Sequence, residues 1–315
     1  MKKRALALVC ALTFGALTLT ACGGSAETPA AAPTETQTAA ESAAAEAGAA
    51  ENAETEAGQT AAEETEADGT EEKGTVTVAA TPVPHAEILE AAKPMMEEKG
   101  WTLEVVEFTD YVQPNEVVES GDIDANYFQH INYMESYNEE KGTHLISAGE
   151  IHYEPLGIYP GKETDLNNIS DGAEIAVPND TTNEGRALLL LQENGLITLD
   201  PEAGITATAM DITENPHNLK IVELQAEQVA RTLPDVAFGV INGNYALQAG
   251  LSTADAVALE TADPEAIQQY VNVIAVREGN ETNEGVQALV EVLKSDEMKA
   301  FINDTYQGSV VPYEE

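Results

Sequence analysis

Arg186 is the residue of this chain whose position most directly suggests a chemical role. It falls in the first turn of a helix predicted to open at Thr182 or Asn183, just after a strand predicted at residues 174–178. A helix start exposes unpaired N–H groups and the positive end of the helix dipole, so it attracts anions and disfavours cations. An arginine there is explained if it holds a ligand carboxylate by two parallel hydrogen bonds. A surface ion pair with one of the many acidic residues is the open alternative.

Five aromatic or imidazole side chains form a second set of candidates, because they fall in predicted loops near strand ends. Aromatic residues make up only 5% of the chain, so rings concentrated at strand ends predict the walls of an apolar pocket with polar tips. Packing of the same rings in a core beside a hinge is the alternative. The set consists of Tyr111, Tyr127, Phe128, His130 and Tyr153.

The sequence does not predict metal or covalent chemistry. No two of the five histidines are spaced two to four residues apart, and the sequence has no His-Glu-x-x-His, Gly-x-Ser-x-Gly or Walker A motif. We therefore expect no metal, no cofactor and no enzymatic turnover.

The charge of the chain excludes several classes of partner. Its 315 residues contain 56 Asp and Glu against 14 Lys and Arg, a formal net charge of −42. Nucleic acids and anionic lipid headgroups bind to basic surfaces, which such a chain does not offer. We therefore expect no nucleic-acid partner, and contact with the membrane through a lipid anchor alone.

The N-terminus has the organisation of an export signal. Basic residues at positions 2 to 4 precede an uncharged apolar stretch over residues 5–19, which is shorter than the roughly 20 residues of a membrane-spanning helix. We predict a signal peptide over residues 1–21. Leu19-Thr20-Ala21-Cys22 resembles a bacterial lipobox, which implies that Cys22 carries a fatty acid such as palmitate and anchors the chain at the extracytoplasmic face of the cell membrane. An ordinary signal peptide with an incidental cysteine is the alternative.

The composition of residues 22–74 predicts an acidic tether between the lipid anchor and the folded part of the chain. From Gly23 to Gly74 the sequence has no Val, Ile, Leu, Met, Phe, Tyr or Trp, and it has thirteen acidic residues against one lysine. Such a segment cannot bury a core and is expected to be disordered and extended by charge repulsion. An alanine-rich helix is the competing interpretation, which the prolines and like charges disfavour.

Strand and helix patterns alternate from Thr75 to the C-terminus and form two α/β units. This alternation predicts two lobes with mostly parallel sheets and a ligand site at the carboxyl ends of strands, in a hinged cleft between the lobes. We place lobe 1 at residues 75–158 plus 275–315 and lobe 2 at residues 159–274. A strand is also predicted at residues 205–209.

Several strings of residues, in order, resemble the methionine-binding lipoproteins of bacterial ABC importers, the NlpA family, over nearly all of residues 75–315. These strings are Pro84-His85-Ala86-Glu87-Ile88-Leu89, Asp110-Tyr111-Val112-Gln113-Pro114-Asn115, Asp124-Ala125-Asn126-Tyr127-Phe128-Gln129-His130, Tyr153-Glu154-Pro155-Leu156-Gly157, Asn183 to Leu188, and Ile241-Asn242-Gly243-Asn244-Tyr245-Ala246. The resemblance implies the two-lobed, type II fold of the periplasmic binding proteins. It also implies a receptor that closes on methionine and delivers it to a membrane permease driven by a separate ATPase.

The resemblance further implies a role for each candidate residue. Arg186 would hold the ligand carboxylate, and Asn183 and Asn242 would bind the backbone groups of the amino acid. The five rings would surround the thioether, whose polarizable sulfur suits aromatic walls. A zwitterion also carries no net charge for the acidic chain to repel. The long tether departs from the family, whose members usually have a shorter one.

The sequence leaves other ligands and classes open. Another small amino acid or a methionine-containing dipeptide is the alternative ligand, and the choice between L- and D-methionine is open. An enzyme, a metal receptor or an adhesin is the alternative class. Because an arginine does not favour a helix start, we also expect Arg186→Ala to leave the melting temperature of the unliganded protein nearly unchanged.

The lipobox generates a direct prediction about Cys22. Metabolic labelling with a fatty acid should mark the wild-type protein and not Cys22→Ser, because acylation requires the thiol. The variant should leave the membrane fraction yet bind ligand as the wild type does, since the tether is not expected to contribute to the pocket. Equal labelling of the two proteins would contradict the anchor.

Overall fold

The computed structural model describes residues 72–261 and 264–314. The predicted signal peptide at residues 1–21, Cys22 and nearly all of the predicted tether at residues 22–74 lie outside the described residues. Within the described part of the chain, no helix is long and apolar enough to cross a bilayer.

The described residues form alternating strands and helices, joined by short 3-10 turns and by an irregular turn at Pro82–Ala86. The strands are β1 (Gly74–Ala80), β2 (Trp101–Glu107), β3 (Ala125–His130), β4 (Leu145–Tyr153), β5 (Gly157–Pro160), β6 (Glu174–Pro178), β7 (Thr198–Leu199), β8 (Ile212–Glu214), β9 (Lys220–Leu224), β10 (Phe238–Ile241), β11 (Ala258–Leu259), β12 (Val271–Arg277) and β13 (Val311–Pro312). The helices are α1 (Glu87–Glu98), α2 (Gln113–Ser120), α3 (Ile131–Lys141), α4 (Thr181–Glu193), α5 (Ala226–Thr232), α6 (Gly243–Gln248), α7 (Pro264–Gln269), α8 (Glu284–Leu293) and α9 (Asp296–Tyr306).

Two sheets organise the two lobes. The first has six strands in the order β13-β4-β12-β3-β1-β2, and the second has five in the order β11-β5-β10-β6-β9. Each sheet has its own apolar core, one under α1, α8 and α9 and the other under α4. The predicted α/β class and two-lobed architecture are therefore confirmed.

Both sheets are mixed, whereas the strand and helix alternation predicts mostly parallel ones. The strands linked through helices pair in parallel, as β1 does with β2 and β3, and β6 with β9 and β10. The strands next to the inter-lobe connections run the other way: β12 is antiparallel to β3 and β4, and β5 is antiparallel to β10 and β11. The antiparallel direction of these strands depends on how the chain enters each lobe from the other. The local pattern of apolar and polar residues does not encode that direction.

The chain passes between the sheets twice. The first connection runs from the end of β4 at Tyr153 to the start of β5 at Gly157, and the second from the end of β11 at Leu259 to the start of β12 at Val271. Thus β5 lies wholly in the second sheet and β12 wholly in the first. The lobe limits 158/159 and 274/275 remain a prediction.

Two segments differ from the elements that the sequence predicts. Residues 205–209 do not form a strand, because the hydroxyl and N–H of Thr208 both bond to the Asp211 carboxylate and close a 3-10 turn at Ala209–Asp211. Residues 127–130 are not a loop, since β3 continues through them. Tyr127 and Phe128 therefore pack on opposite faces of the sheet, in two different apolar cores, and the pairing of β3 with β12 shifts register between Tyr127 and His130.

Gly185 allows helix α4 to sit where the site needs it. A Cβ at this position would lie 2.1 Å from the carbonyl oxygen of Ile205, a distance that no side chain can occupy. The missing side chain lets the first turns of α4 press against the chain at Gly204–Thr206. The neighbouring Arg186 is then buried, with 5% of its surface exposed.

Candidate functional site

A cavity of about 330 Å³, part of it open to solvent, lies where the two lobes meet. Polar side chains come mainly from the second lobe and rings from the first. The lining residues are Tyr111, Phe128, Gln129, His130, Tyr133, Glu154, Asn183, Arg186, Asn242, Gly243, Asn244 and Asn272.

A chain of hydrogen bonds fixes the orientation of Asn183 and Asn242. Asp180 caps helix α4, and its Oδ1 accepts from the backbone N–H and from Nδ2 of Asn183, at 3.0 and 2.8 Å. A carboxylate only accepts at neutral pH, so Oδ1 of Asn183 must face the other way. That oxygen accepts from Nδ2 of Asn242 at 2.8 Å and from Nε2 of His130 at 3.2 Å. Asn183 therefore links the two lobes and has no polar atom left over.

Asn242 and Asn244 each present a buried polar atom that lacks a partner within the described part of the chain. They are Oδ1 of Asn242, an acceptor, and Nδ2 of Asn244, a donor. The other amide atoms are engaged, because Nδ2 of Asn242 binds Asn183 and Oδ1 of Asn244 accepts from the Tyr111 hydroxyl at 2.6 Å. A buried unsatisfied polar atom costs about 1 to 3 kcal/mol. Both side chains line the cavity, so a ligand could satisfy both atoms.

Arg186 does not form an ion pair on the surface. Part of its guanidinium already bonds to other groups of the protein. Nε donates to Oε2 of Glu260 at 2.8 Å, and Nη2 bonds to Oε1 of Glu260 and to the carbonyl oxygen of Glu154, the latter at 2.9 Å. The Tyr270 ring lies 4.1 Å from Cζ and covers one face of the guanidinium. Among residues 72–261 and 264–314, no hydrogen bond uses Nη1. The edge available to a ligand is therefore the Nη1 edge.

Glu154 brings a buried carboxylate to the cavity. Its Oε1 accepts from Nε2 of His152 at 2.8 Å, and only 6% of the residue is exposed. A Cβ on Gly243 would lie 2.8 Å from Oε2, so the glycine permits this close approach. Burial raises the pKa of Glu154, while His85, the backbone N–H of Asn244 and Arg186 oppose the rise.

Four rings form one wall of the cavity. Tyr111 lies 5.6 Å from both Phe128 and Tyr133 between ring centroids, and His130 lies 6.2 Å from Tyr133. Burial lowers the pKa of His130 to about 3. The ring is therefore neutral, which agrees with Nδ1 accepting from the Tyr133 N–H. This wall is apolar and polarizable, with hydroxyl and imidazole groups at its edges.

The structure brings six of the eight predicted binding residues to the cavity: Arg186, Asn183, Asn242, Tyr111, Phe128 and His130. The other two also fall within the described ranges but outside the cavity lining. Tyr127 points to the opposite face of β3, where its hydroxyl bonds to His152, and the Tyr153 hydroxyl donates to Glu260.

Sequence reasoning missed Glu154, Asn244, Tyr133, Glu260 and Tyr270. Glu154 and Asn244 stand inside two of the strings that carry the family resemblance, which is the one signal the sequence offers for them. Tyr133 follows His130 by three residues at the start of α3. Glu260 is one of 56 acidic residues and meets Arg186 across 74 positions, so no local pattern identifies it.

Three buried side chains beside the cavity have the donor types of a metal site. Ligand atoms of His85, His152 and Glu154 lie within 4.8 Å of one another. Hydrogen bonds account for these atoms: Nδ1 of His85 lies 2.7 Å from the Thr81 hydroxyl, and Nε2 lies 3.1 Å from Oδ1 of Asn272. Desolvation lowers the pKa of His85 to about 4 and that of His152 to about 3. The geometry is thus that of two neutral histidines hydrogen-bonded to their neighbours.

Comparison with known proteins places this site in a family. Residues 76–314 match the family model of the NlpA lipoproteins. The chain belongs to the NlpA lipoprotein family. This confirms the resemblance that the sequence strings indicate.

Individual NlpA proteins are similar over most of their length. The D-methionine-binding lipoprotein MetQ of Salmonella typhimurium is 44% identical over 229 residues, which are 71% of this chain and 83% of MetQ. A solved Ruminococcus gnavus protein is 63% identical with a TM-score of 0.75, over 76% of this chain and 99% of that protein. A nutrient-binding protein from Burkholderia cenocepacia, solved with bound methionine, is 43% identical with a TM-score of 0.72, over 76% of this chain and all of that protein.

The buried pair of Arg186 and Glu260 changes the expectation for Arg186→Ala. Truncation would leave the Glu260 carboxylate buried and unpaired, which costs about 3 to 5 kcal/mol. The melting temperature of the unliganded protein should therefore fall by roughly 6 to 20 °C, as measured by differential scanning calorimetry. Arg231→Ala, on an exposed position of α5, is the control and should change it little. An unchanged melting temperature in Arg186→Ala would contradict the role of the pair.

Proposed function

We propose that this protein is an extracytoplasmic receptor that binds methionine, or a closely related zwitterion, and delivers it to an ABC import permease driven by a separate ATPase. The proposal rests above all on one observation: an acceptor and a donor that have no partner among the described residues, a guanidinium edge and a buried carboxylate line the same cavity between the lobes. The methionine-binding names of the NlpA relatives support the choice of ligand. The receptor captures its ligand and does not convert it.

The donors and acceptors divide into two groups that suit a free amino acid. Nη1 of Arg186 and Nδ2 of Asn244 can donate to the ligand carboxylate. Oδ1 of Asn242 and the carboxylate of Glu154 can accept from the ligand ammonium. Hydrogen bonds to charged groups are worth about 1.5 to 3 kcal/mol each. A zwitterion gains this binding free energy at both its carboxylate and its ammonium, whereas a simple acid or a simple amine gains it at one group only.

The ring wall provides the place for the ligand side chain. A thioether against Tyr111, Phe128, His130 and Tyr133 gains about 0.3 to 1.5 kcal/mol for each sulfur-ring contact. This term favours methionine over an aliphatic side chain of equal length. The small cavity favours a single amino acid over a methionine-containing dipeptide, which is the alternative ligand together with other small amino acids.

The lobes are expected to close on the ligand about their two connections. Hydrogen bonds already span the cleft: the Tyr111 hydroxyl donates to Asn244, and the Tyr245 hydroxyl donates to the Thr109 carbonyl at 3.1 Å. These contacts describe a closed arrangement. The lobes would turn about the two connections between the sheets, from β4 to β5 and from β11 to β12.

Anchorage follows from the N-terminal sequence. An acyl group on Cys22 would hold the receptor at the extracytoplasmic face of the membrane, close to the permease. The acidic tether of residues 22–74 would let the domain move away from the membrane surface to collect ligand.

Calorimetric titration of protein freed of ligand by unfolding and refolding tests the proposed function. L-methionine, D-methionine, norleucine and a methionine dipeptide are the probes, and mass spectrometry identifies the ligand that co-purifies. We expect one methionine form to bind more tightly than norleucine. Failure of every methionine form to bind would overturn the proposal.

Asn242 offers a direct test of how the site recognises the ammonium. Asn242→Ala removes the acceptor Oδ1 and the hydrogen bond to Asn183, so affinity for methionine should fall about 10- to 100-fold. Asn303→Ala, on the exposed side of α9, is the matched control and should bind as the wild type does. Wild-type affinity in Asn242→Ala would remove this residue from the site.

Closure should be visible in solution. The radius of gyration from small-angle scattering should decrease when methionine is added to refolded protein, because the lobes swing together about the two connections. The comparison is best made on a variant without residues 1–72, so that the tether does not dominate the scattering, with its melting transition as a check that it folds. Binding without any change in size would contradict hinge closure.

A further inference from the structure

A continuous set of hydrogen bonds runs from the interior of the first lobe to the cavity. The Tyr127 hydroxyl bonds to Nδ1 of His152, and Nε2 of His152 lies 2.8 Å from Oε1 of Glu154. On the other side, Nε2 of His85 lies 3.3 Å from the same Oε1. Both histidines are at most 1% exposed, and neither lines the cavity that Glu154 reaches. Of this set, the function proposed above uses Glu154 alone and gives no role to the two histidines or to Tyr127.

The partners of the rings determine which nitrogen carries the proton. The Glu154 carboxylate can only accept, so Nε2 of His152 is protonated, and Nδ1 accepts from the Tyr127 hydroxyl. Nε2 of His85 likewise donates to Oδ1 of Asn272, and its Nδ1 accepts from the Thr81 hydroxyl. Each ring therefore needs one proton. Both histidines are neutral, in agreement with the desolvation of these sites.

Neutral donors suit a carboxylate that has to bind a cation. Burial disfavours the ionised form of Glu154, and hydrogen bonds to its oxygens favour that form. A histidine cation would supply such bonds, but it would also neutralise Glu154 and repel a ligand ammonium at close range. A neutral imidazole supplies the bond without the competing charge.

Other elements facing Glu154 do not supply a free acid or base for this purpose. Arg186 on α4 is paired with Glu260 and touches Glu154 through its backbone carbonyl, while α6 presents the backbone N–H of Asn244. The remaining titratable groups near Glu154 are tyrosines whose pKa is raised by burial, so they stay protonated. They are Tyr111, Tyr127, Tyr159 and Tyr306.

We infer that His152 is a positioning residue that holds Glu154 ionised and directed at the ligand ammonium, and that it thereby makes the receptor selective for ligands that carry an ammonium. The inference rests on the proposed function in taking Glu154 as the ammonium acceptor. His85 lies 3.3 Å from the same Oε1 but donates its one N–H to Asn272, so it packs beside Glu154 as a neutral ring. The Tyr127 hydroxyl keeps His152 in the tautomer that donates.

The test compares two ligands in variants of His152. The probes are L-methionine and 2-hydroxy-4-methylthiobutanoate, which has a hydroxyl in place of the ammonium. His152→Leu removes the donor, and His152→Gln keeps an amide N–H near the position of Nε2. His144→Gln is the control, because His144 is exposed and pairs with Glu119. Affinities are measured by calorimetry between pH 5.5 and 7.5, with the melting transition as a check of folding.

We expect His152→Leu to bind L-methionine at least about tenfold more weakly at pH 7.5, since a hydrogen bond to a charged group is lost. The loss should grow as the pH falls, because Glu154 without this donor has a still higher pKa and takes up a proton. Only the ionised form of Glu154 binds the ammonium, so the affinity of the variant for L-methionine falls as the pH is lowered. His152→Gln should recover most of the affinity, and the hydroxy acid should bind His152→Leu as it binds the wild type.

Tyr127→Phe provides a second, milder variant in case His152→Leu does not fold. It frees Nδ1 of His152, so affinity for L-methionine should fall less, with the same dependence on pH. A loss that is equal for the two probes, or that does not change with pH, would show a merely structural role and overturn the inference.

Failure of the inference can be told apart from failure of the proposed function. Wild-type protein that does not bind L-methionine contradicts the function itself. If the wild type binds, and Glu154→Gln loses affinity for L-methionine while the His152 variants do not, the function stands and the positioning role is wrong. Wild-type affinity in Glu154→Gln would also overturn the inference, since His152 would then have no functional group to position.

Discussion

The guanidinium of Arg186 is where the two lobes and both of their connections meet. The first connection touches it through the Glu154 carbonyl, and the second through the Glu260 carboxylate and the Tyr270 ring. Glu260 also accepts from the backbone N–H of Leu156 at 3.0 Å, which joins the two connections to each other. Removing a partner from such a buried pair costs far more than the pair contributes relative to apolar residues. The arrangement is therefore better understood as fixing geometry, with Nη1 turned to the cavity, than as a source of stability.

The distribution of charge explains why a zwitterion fits a chain of net charge −42. Glu260 balances Arg186, so an ionised Glu154 beside its neutral histidine neighbours would be the unbalanced charge of the cavity. A ligand with an ammonium would compensate that charge. A ligand with only a carboxylate would meet a guanidinium already shared with Glu260. Under the proposed function, the ammonium end is therefore the decisive one, while Arg186 and Asn244 would orient the carboxylate.

Local sequence patterns predicted the features that neighbouring residues determine. The strand and helix alternation predicted two lobes, and the strand followed by a helix start predicted that Arg186 lies at the cavity. Asn183 and Asn242 were candidates through the family resemblance alone. Tyr127 was misplaced because the strand continues through residues 127–130, and one residue of displacement turns a side chain to the other face. The mixed sheets and the partner of Arg186 depend on contacts between distant segments. Glu260 in particular has no neighbour in sequence that marks it, so only the folded chain identifies it.

The unpaired atoms at Asn242 and Asn244 connect recognition to motion. Oδ1 of Asn242 and Nδ2 of Asn244 are buried without hydrogen-bond partners among the residues that the structure describes, and each such atom costs about 1 to 3 kcal/mol. Under the proposed function, opening the cleft would let water satisfy both atoms, which would favour an open form of the unliganded receptor. A zwitterion that satisfies both atoms removes that cost and adds its own contacts. It binds the closed form better than the open one, which is the condition for a ligand to shift a conformational equilibrium. The same two amides that recognise the ligand would thus keep the empty receptor open.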